Sequence, residues 1–239
     1  MGVSDRIRSH TKRMIKVMPG IVNRCLRYVV VTFDMQPVFS HRAGYVYSDG
    51  DFVRNAALEL AAREIGERDV PGAVAELGVF RGSYAKLINR AFPDRKLYLF
   101  DTFEGFDPKE HDADQEQGFI SKADDFSGTS VDLVLRKMRC PQNCIVIKGK
   151  FPDSSVGVED TFAFVSIDCD LYQPTYAGLI YFWERLAAGG FIFIHDYQNS
   201  IYSGVKAAVR SFCDQQGIAY AFMADMCGSA VIAKPHRQK

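Results

Sequence analysis

The sequence predicts an α/β fold built on one doubly wound, mostly parallel sheet, preceded by a basic extension. Three observations predict it. From residue 73 onward, short apolar β-like runs alternate with segments of helical periodicity, as crossover helices on a parallel sheet require. The first run ends in a glycine turn, Glu76-Leu77-Gly78-Val79-Phe80-Arg81-Gly82-Ser83, immediately before a helical pattern. Two later runs end in clustered ionisable residues, Asp168-Cys169-Asp170 and His195-Asp196, where such a sheet gathers its ligands.

Composition narrows the function classes. The 239 residues are 47% hydrophobic and 24% charged with zero formal net charge, enough for one well-buried domain plus an appendage. Neutral charge gives no reason to expect a nucleic-acid partner. No apolar run approaches the roughly 18–20 residues that span a bilayer. The cysteines at 25, 140, 144, 169, 213 and 227 include no C-x-x-C pair. Cys140 and Cys144 lack companions at zinc spacing, so all six read as reduced thiols of a cytoplasmic protein.

Residues 1–50 read as a basic, helical extension and 51–239 as the main domain. Arg6, Arg8, Lys12, Arg13, Lys16, Arg24 and Arg27 face only Asp5, and Met14, Ile15, Met18, Ile21 and Val22 fall near one helical face. No long apolar core follows, so a signal peptide fits poorly. The extension packs on the domain or a dimer mate, or touches an anionic membrane surface. A β-like run, residues 28–33, is stopped by Pro37.

In the main domain, Phe52, Val53, Ala56, Ala57, Leu60, Ala61 and Ile65 predict a helix, ended by Pro71-Gly72. After the glycine turn, Tyr84, Leu87, Ile88 and Ala91 predict the next helix, whose first N–H groups face the turn. Glycines there let the backbone bend and approach a ligand closely. The spacing lacks the first glycine of the dinucleotide fingerprint. It resembles the first motif of class I S-adenosylmethionine methyltransferases, though an ordinary strand-to-helix turn gives the same pattern.

The second strand, 96–100, closes on Asp101, about twenty positions past the turn and placed to accept both ribose hydroxyls of a cofactor. Thr102, Phe103 and Phe106 add surface beside it. Asp107 to Asp125 is acidic and reads as a long loop, a lid or substrate wall. Val131–Met138 predicts a helix and Cys144–Gly149 the third strand. Strand four is Phe162–Ile167; beyond it Asp168 and Asp170, two apart, share a face while Cys169 points away. Strand five, Gly190–Ile194, runs into His195-Asp196-Tyr197. A helix over Tyr202–Phe212 and two hairpin-like strands, 220–223 and 229–233, complete the chain.

Adjacent strand ends thus deliver three carboxylates and an imidazole to one volume. Like charges that close need a cation or shared protons, and a hard divalent ion with oxygen ligands, by default Mg²⁺, meets that need. Each residue also has an ordinary structural use: a turn cap for Asp168, a satisfied core histidine for His195.

Five segments carry a resemblance to a known family: Glu76–Gly82, Asp101–Phe106, Gly149–Ser154, Ile167–Tyr172 and Gly189–Tyr197. In that order they are similar to the macrocin O-methyltransferase (TylF-like) family, over roughly residues 72–233. The resemblance implies the Rossmann-like class I methyltransferase fold, seven strands, mostly parallel, with an antiparallel last strand. It implies S-adenosylmethionine- and Mg²⁺-dependent methyl transfer to a sugar hydroxyl of a glycoside, natural product or polysaccharide, and plausibly a homodimer. Carried over by motif, Glu76, Gly78, Phe80, Gly82, Ser83, Asp101, Thr102, Phe103 and Gly149 would bind the cofactor. Asp168, His195 and Asp196 would hold the metal, and Asp170 would be the general base. Family members often have Asp-Asp-Tyr where this chain has His195-Asp196-Tyr197; imidazole is the softer ligand, which admits Mn²⁺ beside Mg²⁺.

Other readings are an O-methyltransferase of a catechol or phenol, and a non-catalytic S-adenosylmethionine-binding scaffold, against which the intact Asp168, Asp170 and Asp196 argue. A nicotinamide dehydrogenase is disfavoured by the missing first glycine of the dinucleotide fingerprint.

Overall fold

The structure, a computed structural model, describes residues 51–122 and 124–236. The basic extension, 1–50, lies outside the described residues, with its helix, membrane and β-run expectations. The first helix, α1 (Phe52–Glu67), leads into β1 (Ala73–Leu77), α2 (Ala85–Ala91), β2 (Leu97–Asp101), α3 (Pro108–Glu116), α4 (Val131–Leu135) and β3 (Cys144–Lys148). Next come β4 (Phe162–Ile167), α5 (Tyr172–Arg185), β5 (Leu186–Ile194), α6 (Gly204–Gln216), β6 (Ala221–Phe222) and β7 (Ala230–Ala233).

The seven strands lie in the order β3-β2-β1-β4-β5-β7-β6. The first five run parallel; β7 pairs antiparallel with both β5 and β6. Strands β1 and β4 are buried along their whole length, as layers of helix on both faces require. The chain winds outward from β1 to β3, then returns to lay β4 on the other flank of β1. That reversal opens a crevice at the carboxyl ends of β1 and β4.

Register puts three strand ends on one level, because Leu77 pairs with Ile167 and Ile167 with Ile194. Hydrogen bonding continues one residue further. Gly78 N donates to Phe100 O (2.9 Å), Asp168 N to Leu77 O (2.8 Å) and His195 N to Ile167 O (2.9 Å). The sheet therefore positions the residues just beyond its edge.

Two expectations need correction. The acidic stretch from Asp107 contains a helix, α3, whose N-cap Asp107 accepts from Lys109 N and Glu110 N with Pro108 in the first turn. This cap-plus-proline start is a local signal that outweighs low hydrophobicity. In α1 the expected Phe52, Ala56, Ala61 and Ile65 are buried, together with Arg54, Asn55, Leu58 and Glu59, whereas the expected Leu60 is 48% exposed. No helix among the described residues is long and apolar enough to cross a membrane.

Phe182 of α5 joins the helix layer to the sheet. Its ring meets Phe162 (5.1 Å) and Phe100 (5.7 Å) edge-on and is fully buried. Phe182→Ala should lower the unfolding free energy by about 3–5 kcal/mol, read from equilibrium urea curves with an unchanged m-value.

Candidate active site

A cavity of ≈ 340 Å³ opens at the switch point, large enough for a small-molecule ligand. Of the residues expected around a cofactor, Glu76, Gly78, Phe80, Ser83, Asp101, Thr102 and Gly149 line it. Asp168, Asp170, His195 and Asp196 line it too. Gly82 and Phe103 are not among the residues that line it. A Cβ on Gly82 (φ +71°) would sit 2.9 Å from Val134 Cγ1, so this glycine serves packing on α4. Phe103 is buried and reaches the site through its backbone alone.

The glycine turn is tight because another turn lies against it. Gly78 has φ +86°, and a Cβ there would stand 2.0 Å from the carbonyl oxygen of Asp168. Only glycine allows that approach. Phe80, Phe103, Asp170 and Asp196 also have positive φ, at 47°, 55°, 62° and 58°. Such backbone costs on the order of 1–3 kcal/mol per non-glycine residue, and here it gathers at one rim.

Asp101 differs from expectation. Its Oδ2 accepts from Val79 N (2.7 Å) and Phe80 N (2.8 Å), and its Oδ1 from Phe103 N (2.6 Å). The carboxylate thus fastens the glycine turn to the end of β2, and only its remaining lone pairs face outward. Cys169 differs as well: it lies on the cavity wall, its thiol toward Leu77 O (3.6 Å). Asp168 and Asp170 follow β4; Asp168 N is still bonded to Leu77 O, whereas the left-handed backbone at Asp170 (φ 62°) breaks strand alternation there.

Within the cavity, Glu76, Asp168, Asp170 and Asp196 lie close enough to influence one another's charge. Asp168 Oδ2 accepts from Arg54 Nη2 (2.9 Å), and Asp168 Oδ1 lies 3.1 Å from His195 Nδ1. Burial opposes the charge on Asp168, but Arg54 and His195 hold its carboxyl well below the usual range. Burial likewise disfavours the His195 imidazolium, yet Asp168 and Asp196 (Oδ2 at 2.6 Å) carry it up to about 10. Asp170 is pushed well above the ordinary carboxylate range, first by burial and then by the charges of Asp168 and Asp196. Glu76 is raised by burial and Asp168, and its buried Oε2 has no hydrogen-bond partner.

Arg54 was not foreseen. It is buried near the start of α1, stacked 3.8 Å from the Tyr84 ring centre, and also reaches Ser166 Oγ at 3.4 Å. A cation heading an apolar stripe at helical spacing was the available signal. Cys227, one of the six thiols, lies on the β6–β7 connection, where burial and then Asp196 push its thiol up to about 12.

The donor atoms fit the two groups expected from the sequence. Asp168, Asp170 and Asp196 each offer a carboxylate oxygen, all within 4.8 Å of one another, an all-oxygen set suited to a hard divalent ion. His195 is outside that set and instead bridges two of its members. The orphaned Glu76 Oε2 faces the cavity as an acceptor for a cationic, donor-rich ligand.

Strand order, antiparallel last pair and a glycine turn at the switch point define a class I methyltransferase fold. The sequence pattern of the family described as Macrocin-O-methyltransferase (TylF) matches residues 50–231, and the chain belongs to that family. It is 31% identical over 166 residues to mycinamicin III 3''-O-methyltransferase of Micromonospora griseorubida, covering 63% of each chain. It is 27% identical over 152 residues to demethyldecarbamoylnovobiocin O-methyltransferase of Streptomyces niveus, covering 59% of this chain and 58% of the relative. The matches thus span about three fifths of those relatives. Among solved structures, the O-methyltransferase NovP superposes with TM-score 0.63 at 21% identity, over 77% of this chain and 81% of NovP. The calicheamicin methyltransferase CalS11 superposes with TM-score 0.60 at 18% identity, over 94% and 90%.

Asp101→Ala removes the acceptor of three backbone N–H groups and should cost about 2 kcal/mol or more. Hydrogen exchange should quicken at residues 79, 80 and 103 while the amides of β4 keep their protection.

Proposed function

We propose that this chain is an S-adenosylmethionine- and divalent-metal-dependent O-methyltransferase whose acceptor is a hydroxyl of a sugar on a glycoside, natural product or polysaccharide. The observation that carries the proposal is the convergence of Asp168, Asp170 and Asp196 beside the cavity lined by Glu76 and the glycine turn. The relatives named as O-methyltransferases of mycinamicin III and demethyldecarbamoylnovobiocin support a natural-product acceptor.

The residues divide the work. Glu76, the Gly78 turn and the free side of Asp101 bind and orient the cofactor, whose bound form supplies an electrophilic methyl on sulfur. Asp168 and Asp196 would hold the ion, which when bound supplies charge neutralisation and lowers the pKa of a nearby hydroxyl. Arg54 and His195 keep Asp168 ionised and fixed in direction. Asp170, raised by burial and then by the charges of Asp168 and Asp196, is the base of this cluster and takes the hydroxyl proton. As the new C–O bond forms, the methyl–sulfur bond breaks, giving a methyl ether and S-adenosylhomocysteine.

Phe106 and Phe126, 4.8 Å apart, form an apolar stretch of the cavity wall. They offer a flat surface for the ring of an acceptor. The segment that carries Phe126 is tied across the site: Ser121 N donates to Ile201 O (3.0 Å) and Ser203 N to Phe119 O (2.9 Å). This wall excludes water from the reacting oxygen.

Asp170→Asn should lower kcat by at least about 100-fold, the lower end of what a general base contributes, while S-adenosylhomocysteine affinity stays within a factor of about three. The assay is methyl transfer from labelled S-adenosylmethionine to a panel of glycosides and catechols, with Mg²⁺, with Mn²⁺ and with chelator. Transfer only to phenolic acceptors would overturn the sugar assignment; full rate in chelator would overturn the metal.

A further inference from the structure

We propose that His195, Asp196 and Cys227 form a binding site for one thiophilic divalent ion of the zinc class. The three side chains come from two separate stretches of the chain, the end of β5 and the connection between β6 and β7. A ring nitrogen, a carboxylate oxygen and a thiol sulfur lie within 4.8 Å of one another. Bonds of about 2.0–2.3 Å to a tetrahedral zinc set ligand atoms roughly 3.3–3.8 Å apart, so modest side-chain rotation closes this set.

The site is built rather than accidental. Asp196 is fixed by its left-handed backbone (φ 58°) and by Asn199 Nδ2, which donates to its Oδ1 at 2.8 Å. Such a partner orients a ligating carboxylate from behind. The Cys227 loop is anchored at both sides: Gln198 N donates to Cys227 O (3.1 Å), and Ser229 N to Asp225 Oδ1 (2.7 Å). Gly228, with φ +63°, turns the chain against Gln198, where a Cβ would stand 2.7 Å from that side chain.

Donor chemistry separates this set from the neighbouring one. Imidazole and thiolate favour zinc-like ions over Mg²⁺, whereas Asp168, Asp170 and Asp196 are all oxygen. Coordination itself removes the thiol proton. Three protein ligands would leave a fourth position for water or a small molecule. The two sets share Asp196, so a thiophilic ion competes with a hard one for the same carboxylate. The inference stands on the donor set alone and not on methyl transfer.

The test uses the full chain, stripped with chelator, without cofactor or acceptor. Co²⁺ titration should give a thiolate-to-metal charge-transfer band in the near ultraviolet that saturates at one equivalent and is displaced by Zn²⁺. In Cys227→Ser the band should vanish. Zn²⁺ affinity, measured against a chromophoric chelator, should fall more than about tenfold in both Cys227→Ser and His195→Gln. No band in the parent chain, or a band persisting in Cys227→Ser, overturns the site. Should Cys227→Ser fail to fold, the His195→Gln measurement decides, and unchanged Zn²⁺ affinity there overturns it equally.

Discussion

Asp168 is half-buried with both carboxylate oxygens engaged, Oδ2 by Arg54 and Oδ1 by His195, and the rest of the site is arranged around keeping that charge. An isolated carboxylate in such surroundings would take up a proton. Here a guanidinium from α1 and an imidazole from the end of β5 hold it ionised, which ties the first helix to the far side of the switch point. Around this pair, Glu76, Asp170 and Asp196 remain, and two of them answer their crowding by shifting upward. The cavity therefore carries an unspent preference for positive charge, which fits a sulfonium cofactor and a divalent ion equally.

Sheet geometry makes this crowding possible. The level ends of β1, β4 and β5 put Gly78, Asp168 and His195 side by side, each still bonded into the ladder. Gly78 lets the turn after β1 press on the turn after β4, and Asp101 clamps the same turn from β2. Left-handed backbone at Phe80, Phe103, Asp170 and Asp196 then aims groups that regular strands would direct elsewhere. The core beneath, centred on Phe182, Phe162 and Phe100, supplies the rigidity that maintains it.

Much of this was legible in the sequence because periodicity and turn chemistry are local. The strands β1 to β5, the glycine turn and the acidic strand ends follow from patterns within ten residues of one another. Long-range pairing was not legible. Nothing near Asp101 announces that three backbone N–H groups occupy it, and nothing near Arg54 announces Asp168, 114 residues away. Cys227 likewise meets Asp196 only once β7 lies beside β5. The helix after Asp107 was within reach, since its cap and proline are adjacent, but composition drew attention away from it.

The central claim is that this cavity binds the methyl donor independently of the acceptor-side ion. Calorimetric titration of S-adenosylhomocysteine into the full chain, in Mg²⁺ and again in chelator, tests it most directly. The account predicts one site of similar micromolar affinity in both conditions. Absence of binding in both would contradict it and leave the chain without the chemistry its carboxylates are arranged to perform.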